Sequence, residues 1–202
     1  MTPLCHRGLW KRRSEQNTLA AFRLAWEHGW GVETDLRDHA GEVVISHDPA
    51  FGDEVRLAEL LALHAAYGAD TPLALNVKAD GLAPAVAVAL AEVGTGSAFV
   101  FDMSVPDTFG YLRAGIPVWT RWSDVEPSPP LLERSVGIWV DAFEQDGWWD
   151  EEALAKAAVE RTLCLVSPEL HGRDPRDSWS RLQELPVFVC TDRPHDLMEV
   201  FS

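Results

Sequence analysis

Short apolar runs alternate with longer amphipathic stretches along the whole chain, and this alternation constrains the fold more than any other feature. Gly, Pro and acidic residues separate the two kinds of segment. Such a pattern is typical of repeated βα units that build a parallel sheet. Eight runs are predicted to form strands: 3–6, 31–37, 72–78, 98–102, 117–121, 137–141, 162–166 and 186–191. A helix is expected after each strand, the last one over 194–201.

Eight strands and eight helices predict an α/β fold, a small and lean (β/α)₈ TIM barrel that forms a single domain over residues 1–202. Such barrels span about 200 to over 400 residues, so the connections of this one must be short. An open doubly wound sheet is the alternative. The chain contains neither GxGxxG after its first strand nor GxxxxGK[ST], so neither common nucleotide-binding motif supports the open sheet.

A further extended run, residues 43–47, follows the second strand inside the second βα connection. The Ala40-Gly41 pair lies between the two extended segments and is suited to a tight turn. We therefore predict a short hairpin extension after strand 2, which projects from the rim of the barrel.

Charge and cysteine content exclude several classes of partner. The chain has 32 acidic and 17 basic residues, and its net charge of −15 opposes non-specific binding to nucleic acid or to anionic membranes. No stretch approaches the roughly 18 apolar residues of a membrane span. Three cysteines without metal-binding spacing fit a reducing compartment. We predict a cytoplasmic protein that binds no nucleic acid, and the sequence leaves its oligomeric state open.

Charged side chains end most of the predicted strands, and in a barrel of this class the carboxyl ends of the strands carry the active site. Glu33 and Asp35 lie two residues apart in an extended segment, so both can converge on a hard cation such as Mg²⁺ or Ca²⁺. Two imidazoles and two cationic side chains lie at other strand ends: His6, Arg7, His47 and Lys78. Imidazoles move protons near neutral pH, and the cations suit an anionic oxygen cluster. A phosphate or phosphodiester is the ligand that such a set fits.

The segments that hold these residues resemble the glycerophosphodiester phosphodiesterase family, which shares a barrel architecture with the phosphatidylinositol-specific phospholipases C. The opening HRG and the following EQNTLAAF resemble the family's His-Arg-Gly and Glu-Asn-Thr motifs. The segment GVETDLRDHAGEVVISHDP resembles its Glu-x-Asp and His-Asp-Pro motifs in order and approximate spacing. Weaker similarity continues in ALNVK and VCTDRP, while the strong part covers residues 3–49.

This resemblance implies a metal-dependent hydrolase of lipid metabolism that converts a small-molecule phosphodiester to an alcohol and a phosphomonoester, with Mg²⁺ or Ca²⁺ as cofactor. It assigns roles to six residues: His6 and His47 as catalytic histidines, Arg7 and Lys78 as phosphate contacts, and Glu33 and Asp35 as metal ligands. A metal and two cations would stabilise charge that develops on phosphorus, while imidazoles transfer protons.

The chain departs from the family pattern at the third metal ligand. Asn76 stands where the family has a carboxylate, and this substitution removes one negative charge from the cation site. Asp102, Asp141 or Glu169 is an alternative third ligand. A second departure is the short connection after the His-Asp-Pro segment, which leaves no room for the inserted subdomain of many family members. We expect a more open wall around the alcohol portion of the substrate.

Two other functions remain compatible with these residues. One is a non-catalytic or regulatory barrel that binds a phosphoryl ligand, because the loss of the third carboxylate weakens metal chemistry. The other is phosphodiester cleavage by internal attack of a substrate hydroxyl, which leaves a cyclic phosphate.

Overall fold

The computed structural model describes residues 1–94, 96–182 and 185–201. The elements follow one another as β1 (Thr2–His6), α1 (Leu19–Glu27), β2 (Gly31–His39), β3 (Glu42–Ile45), α2 (Leu57–Tyr67), β4 (Leu73–Val77), α3 (Ala83–Val93), β5 (Ala98–Phe101), α4 (Val105–Arg113), β6 (Trp119–Ser123), β7 (Gly137–Asp141), α5 (Glu151–Glu160), β8 (Thr162–Val166), α6 (Arg176–Arg181), β9 (Phe188–Thr191) and α7 (Pro194–Val200). No helix within these described ranges is long and apolar enough to cross a membrane.

Residue contacts divide the chain into two compact units. The N-terminal unit is His6–Val118, and the C-terminal unit combines Met1–Cys5 with Trp119–Ser202. Each unit contains parallel strands, most of which are connected through helices. The eight-strand α/β repeat of the (β/α)₈ barrel class, predicted from the sequence, is confirmed. A single domain over the whole chain stays a prediction.

In the N-terminal unit, β4 lies between β2 and β5 and is parallel to both. Leu73, Leu75 and the rest of β4 are buried, as expected of a strand covered on both faces. The register places Asp35 of β2 beside Asn76 of β4. Residues at the carboxyl ends of β2 and β4 therefore lie side by side in the sheet.

The predicted hairpin extension is present in the N-terminal unit. β3 pairs with β2 in antiparallel register, with His39 opposite Glu42. The two residues between them, Ala40 and Gly41, have φ values of 49° and 88°. Two successive left-handed residues are the geometry of a type I′ turn, whose twist matches that of the flanking strands.

In the C-terminal unit, the strands are parallel and ordered β1, β9, β8, β7, β6. The packed core beneath them includes Leu154 of α5, Trp179 of α6 and Leu197 of α7. Asp150 caps α5 by accepting hydrogen bonds from the backbone N–H groups of residues 152 and 153. Helix α5 thus begins where the sequence offers a cap.

One expected helix is absent from the described chain. The connection between β6 and β7, residues 124–136, contains a single 3₁₀ turn over Leu132–Arg134 instead of an α-helix. Three prolines precede this turn, at positions 127, 129 and 130. Proline has no N–H to donate and its ring clashes with the preceding helical turn, which explains why this segment does not form the helix.

Candidate active site

The loop after β1 has a tightly constrained backbone. Arg7 and Gly8 both have positive φ, at 58° and 89°. A Cβ atom at Gly8 would lie 2.8 Å from the backbone of Ala21, so only glycine fits here. The N–H of Arg7 donates to the carbonyl of Glu33 over 2.8 Å. The His-Arg-Gly sequence therefore turns the chain against β2 directly beyond His6.

Asp35 is a carboxylate that is buried among cationic groups. It is 1% exposed. The Nε atom of Arg7 lies 2.9 Å from Oδ2, and Nζ of Lys78 lies 3.5 Å from Oδ1. Arg7 Nε makes no hydrogen bond of standard geometry in the described chain, so its attraction to Asp35 is mainly Coulombic. Two cations on opposite oxygens offset the cost of burying this charge.

Asn17 fixes the same carboxylate, a role that the sequence reasoning missed. Its Nδ2 donates to Asp35 Oδ2 over 3.1 Å, and its Oδ1 accepts from the hydroxyl of Thr34 over 2.9 Å. The N–H of Asn17 also donates to the carbonyl of Arg7. Asn17 has a φ of 57°, and asparagine adopts this left-handed conformation more readily than most residues. Its place directly before Thr18, the cap of α1, was the available signal.

Glu33 is held in a nearly dry environment. It is 2% exposed, and burial, followed by the nearby charge of Asp35, raises its pKa to about 7. The positive charges of His6 and Lys78 oppose this rise. His6 Nε2 lies 4.0 Å from Glu33 Oε2, and Nδ2 of Asn76 donates to Oε1 over 3.3 Å. Glu33 is therefore a carboxyl group that can exchange a proton near neutral pH.

Two oxygen atoms in this cluster fit a cation. Glu33 Oε2 and Asn76 Oδ1 are buried and accept no hydrogen bond within the described residues. Buried acceptors are normally satisfied, so this pair suits a hard cation with oxygen ligands. No group of three or more His, Cys, Asp or Glu residues that could hold a metal occurs in the described ranges. The donor set is therefore Glu33, Asp35 and the neutral amide of Asn76.

The three alternative third ligands have different surroundings. Asp102 follows β5 with a φ of 70°, and its Oδ2 lies 3.9 Å from Nζ of Lys78. Asp141 and Glu169 belong to the C-terminal unit, where Asp141 Oδ1 lies 2.8 Å from His171 Nε2. Glu169 accepts hydrogen bonds there from the Ser167 hydroxyl, the Thr191 hydroxyl and the backbone N–H of residue 192. Of the three, Asp102 is the one with a contact to Lys78.

His47 stands on a loop that other side chains hold in place. The guanidinium of Arg37 donates twice to the carbonyl of His47, over 3.2 and 3.0 Å. The imidazole is 48% exposed, and its Nδ1 lies 3.0 Å from Asp48 Oδ1. This hydrogen bond is the main cause of the lowered pKa of Asp48, to which the charge of Arg7 adds a smaller effect. His47 thus presents an oriented, solvent-accessible ring.

The N-terminal unit consequently brings most of the predicted site residues into direct contact. Linked by ion pairs or hydrogen bonds are Arg7, Glu33, Asp35, Asn76, Lys78 and Asp102, with His6 beside Glu33. Such a cluster can bind an anionic oxygen group and supply imidazoles for proton transfer.

Comparison with known proteins identifies the fold. No family model matches the chain, and no curated protein matches it. Among solved structures, a Galdieria sulphuraria protein assigned as a glycerophosphodiester phosphodiesterase aligns with a TM-score of 0.77 at 16% identity, over 99% of this chain and 97% of that one. The glycerophosphodiester phosphodiesterase of Agrobacterium tumefaciens aligns with a TM-score of 0.73 at 18% identity, over 99% and 98%.

A third structure carries a ligand. It is an Oleispira antarctica phosphodiesterase in complex with the product sn-glycerol-3-phosphate, with a TM-score of 0.66 at 18% identity over 99% of this chain and 96% of that one. The chain therefore has the fold of the glycerophosphodiester phosphodiesterases.

Proposed function

We propose that the protein is a phosphoric diester hydrolase that cleaves a small glycerophosphodiester-like substrate to an alcohol and a phosphomonoester. The observation that carries the proposal is the buried pair Glu33 and Asp35, flanked by His6, Arg7 and Lys78 at distances between 2.9 and 4.0 Å. The fold shared with glycerophosphodiester phosphodiesterases supports it. A cytoplasmic location remains part of the proposal.

Arg7 and Lys78 are the groups that would bind the phosphoryl oxygens. Their side chains are 21% and 20% exposed, so each cation can meet a ligand while it contacts Asp35. Asn17 keeps the Asp35 carboxylate oriented, which in turn fixes both cations. Preorganised positive charge stabilises the additional negative charge that develops on the phosphoryl oxygens during cleavage.

His6 and His47 are the groups that would move protons. His6 lies beside Glu33, whose raised pKa lets it hold or release a proton near pH 7. His47 is oriented through Asp48 and is accessible to a leaving alcohol. One imidazole activates the attacking oxygen and the other protonates the leaving alcohol.

Glu33, Asp35 and Asn76 are the residues that would hold a divalent cation, Mg²⁺ or Ca²⁺. When bound, such a cation would polarise the phosphoryl oxygen and compensate charge. The two buried acceptor oxygens of Glu33 and Asn76 support this assignment, because they accept no hydrogen bond in the described chain. With an amide in place of a carboxylate, we expect weak cation affinity.

Phosphorus NMR of the full chain with glycerophosphoethanolamine and glycerophosphoglycerol tests the proposal. The expected result is a phosphomonoester resonance that grows with time in Mg²⁺ or Ca²⁺ and stops growing after chelation. A cyclic phosphate resonance would instead establish internal attack by a substrate hydroxyl. Cleavage that continues undiminished after exhaustive chelation would disprove the cation requirement.

A second candidate function is a barrel that binds a phosphoryl ligand without cleaving it. The ion pairs of Asp35 with both Arg7 and Lys78 favour it, because they leave this carboxylate already neutralised. Calorimetric binding of sn-glycerol-3-phosphate without turnover of any phosphodiester tested would support this function and contradict hydrolysis.

A further inference from the structure

The C-terminal unit contains a histidine–carboxylate pair that the proposed reaction does not use. Asp141 is the last residue of β7, and His171 lies in the turn after β8. His171 Nε2 is 2.8 Å from Asp141 Oδ1, which also accepts from the N–H of Ala142 over 2.8 Å. The His171 side chain is 25% exposed, and within the described residues its Nδ1 makes no hydrogen bond. The imidazole is thus oriented by a buried carboxylate and offers one nitrogen to a ligand.

An aromatic ring accompanies this imidazole. Phe143, two residues after Asp141, is 39% exposed although it is large and apolar. Its ring meets the His171 ring in an edge-on contact with centroids 5.6 Å apart, and the guanidinium carbon of Arg121 lies 5.4 Å from its centroid. An exposed aromatic ring beside an oriented polar ring provides a stacking surface next to a hydrogen-bonding group.

The loop that carries Phe143 is fixed from two sides. The Asp124 carboxylate accepts hydrogen bonds from three successive backbone N–H groups, those of residues 143, 144 and 145. Arg173 donates to the carbonyls of residues 142 and 143 and to the Asp146 carboxylate. Phe143 nevertheless points part of its ring to solvent. The effect of these bonds is to preorganise the exposed ring, which lowers the entropic cost of binding.

The cationic side chains around Phe143 and the buried carboxylate beside it have partners. Arg121 forms an ion pair with Glu126 and Arg173 with Asp146, and His171 Nε2 lies 2.8 Å from Asp141 Oδ1. An anionic ligand would have to compete with carboxylates already in place, and a cationic ligand with guanidinium groups. A neutral ligand with hydroxyl groups meets neither obstacle. Its C–H face can lie on Phe143, while a hydroxyl group donates to or accepts from His171.

We propose that His171, Asp141 and Phe143 form a binding site for an uncharged cyclic polyol of the sugar type. The oriented imidazole recognises a hydroxyl group, and the fixed aromatic ring packs against the apolar face of the polyol ring. This site lies within the C-terminal unit and is independent of the phosphodiesterase proposal, since binding requires neither cleavage nor a divalent cation.

Saturation-transfer NMR with methyl β-D-glucopyranoside tests the site on the full chain in the presence of a chelator. The axial protons H1, H3 and H5 form one face of this sugar, so we expect the strongest transfer to them. Phe143→Ala and His171→Ala should each weaken binding about fivefold, because the first removes the packing surface and the second removes the hydrogen-bond partner of the hydroxyl group. Phe143→Leu keeps the apolar volume without the ring and should behave like Phe143→Ala.

Matched variants separate this site from non-specific contact. Phe51→Ala removes a phenylalanine that is 89% exposed, and His28→Ala removes another accessible histidine, so neither should change the transfer. Circular dichroism of each variant establishes that it is folded. Equal transfer in native protein and in folded Phe143→Leu and His171→Ala would overturn the proposal, as would no transfer to the native protein. Because no phosphodiester is present, an inactive enzyme would not affect the outcome.

Discussion

The two units contain clusters of similar residue types in opposite electrostatic states. In the N-terminal unit, Asp35 contacts two cations while Glu33 Oε2 and Asn76 Oδ1 accept no hydrogen bond from the described chain. In the C-terminal unit, the buried carboxylate near Phe143 has a partner, because Asp141 Oδ1 lies 2.8 Å from His171 Nε2. The difference lies in whether buried acceptors remain unsatisfied.

This difference determines which kind of ligand each cluster can bind. A buried acceptor without a partner costs free energy, so the protein keeps it at a place where a ligand supplies the missing contact. In the N-terminal cluster that ligand carries charge, because carboxylate oxygens and cations line the same site. In the C-terminal cluster the charges already compensate one another. Binding there therefore depends on the shape and the hydroxyl groups of the ligand.

The largest expected effect concerns the two histidines of the N-terminal unit. His6→Ala and His47→Ala should each lower kcat for a glycerophosphodiester about 10²-fold or more, because general acid–base groups contribute about 10²–10⁴. Steady-state kinetics measures the loss, and circular dichroism checks the fold. His28→Ala, another accessible histidine in this unit, is the matched control and should keep native turnover. Native kcat in either site variant would remove that histidine from the mechanism.

A second prediction uses the pKa of Glu33. This pKa is raised from 4.5 to about 7, so the folded protein binds more protons than the unfolded chain between these values. Stability should therefore fall as the pH rises from about 4.5 to 7 in chelator. Thermal unfolding measures the trend, with about 2–4 °C per kcal/mol for a chain of this size. Glu33→Gln should reduce this dependence, and an identical slope in the variant would exclude Glu33 as its source.

Asn17 provides a smaller test of how the N-terminal cluster is oriented. Asn17→Ala removes the donor to Asp35 and should lower kcat about tenfold, since groups that orient metal ligands contribute about 10–100-fold. The divalent-cation affinity should fall with it, whereas a purely structural effect would lower only the melting temperature. Gln16→Ala changes the preceding residue and serves as the control. Unchanged kcat and cation affinity in Asn17→Ala would contradict the orienting role.

Most of the fold and part of the site could be predicted because they depend on local patterns. The strands follow from short apolar runs, and the Glu33 and Asp35 pair follows from the two-residue period of a strand. The absence of a helix between β6 and β7 could also have been predicted, because three prolines occupy that segment. The repeated βα pattern suggested a helix in this segment, but the prolines prevent it from forming.

Contacts between distant residues could not be predicted in the same way. Asn17 reaches Asp35 because both Arg7 and Asn17 adopt left-handed backbone conformations, which periodicity does not encode. His171 meets Asp141 across 30 positions of sequence. Such pairs depend on how loops of different strands pack, so the sequence supplies the residue types but not their pairing.

The smallest predicted effect concerns cation binding alone and comes from Asn76. This residue of the N-terminal cluster stands where the family that the sequence resembles has a carboxylate. Asn76 is beside Asp35 in the sheet register, and its amide donates to Glu33. Asn76→Glu would add a third carboxylate to this donor set. Because ligand charge is a main determinant of affinity at oxygen sites, the variant should bind Mg²⁺ and Ca²⁺ several-fold more tightly. Asn76→Gln has the length of the glutamate variant but carries a neutral amide, so it is the control.

Calorimetric titration of both cations into native protein and both variants measures the effect. Tighter binding by Asn76→Glu alone means that the native site lacks one charge. Weaker or equal binding means that another carboxylate, such as Asp102, which contacts Lys78, already serves as third ligand and is repelled by the new charge. Activity need not rise with affinity, because Glu33 and Asp35 must also keep their contacts with His6 and Arg7. No detectable binding by any of the three proteins would contradict the cation site and favour the phosphoryl-binding barrel.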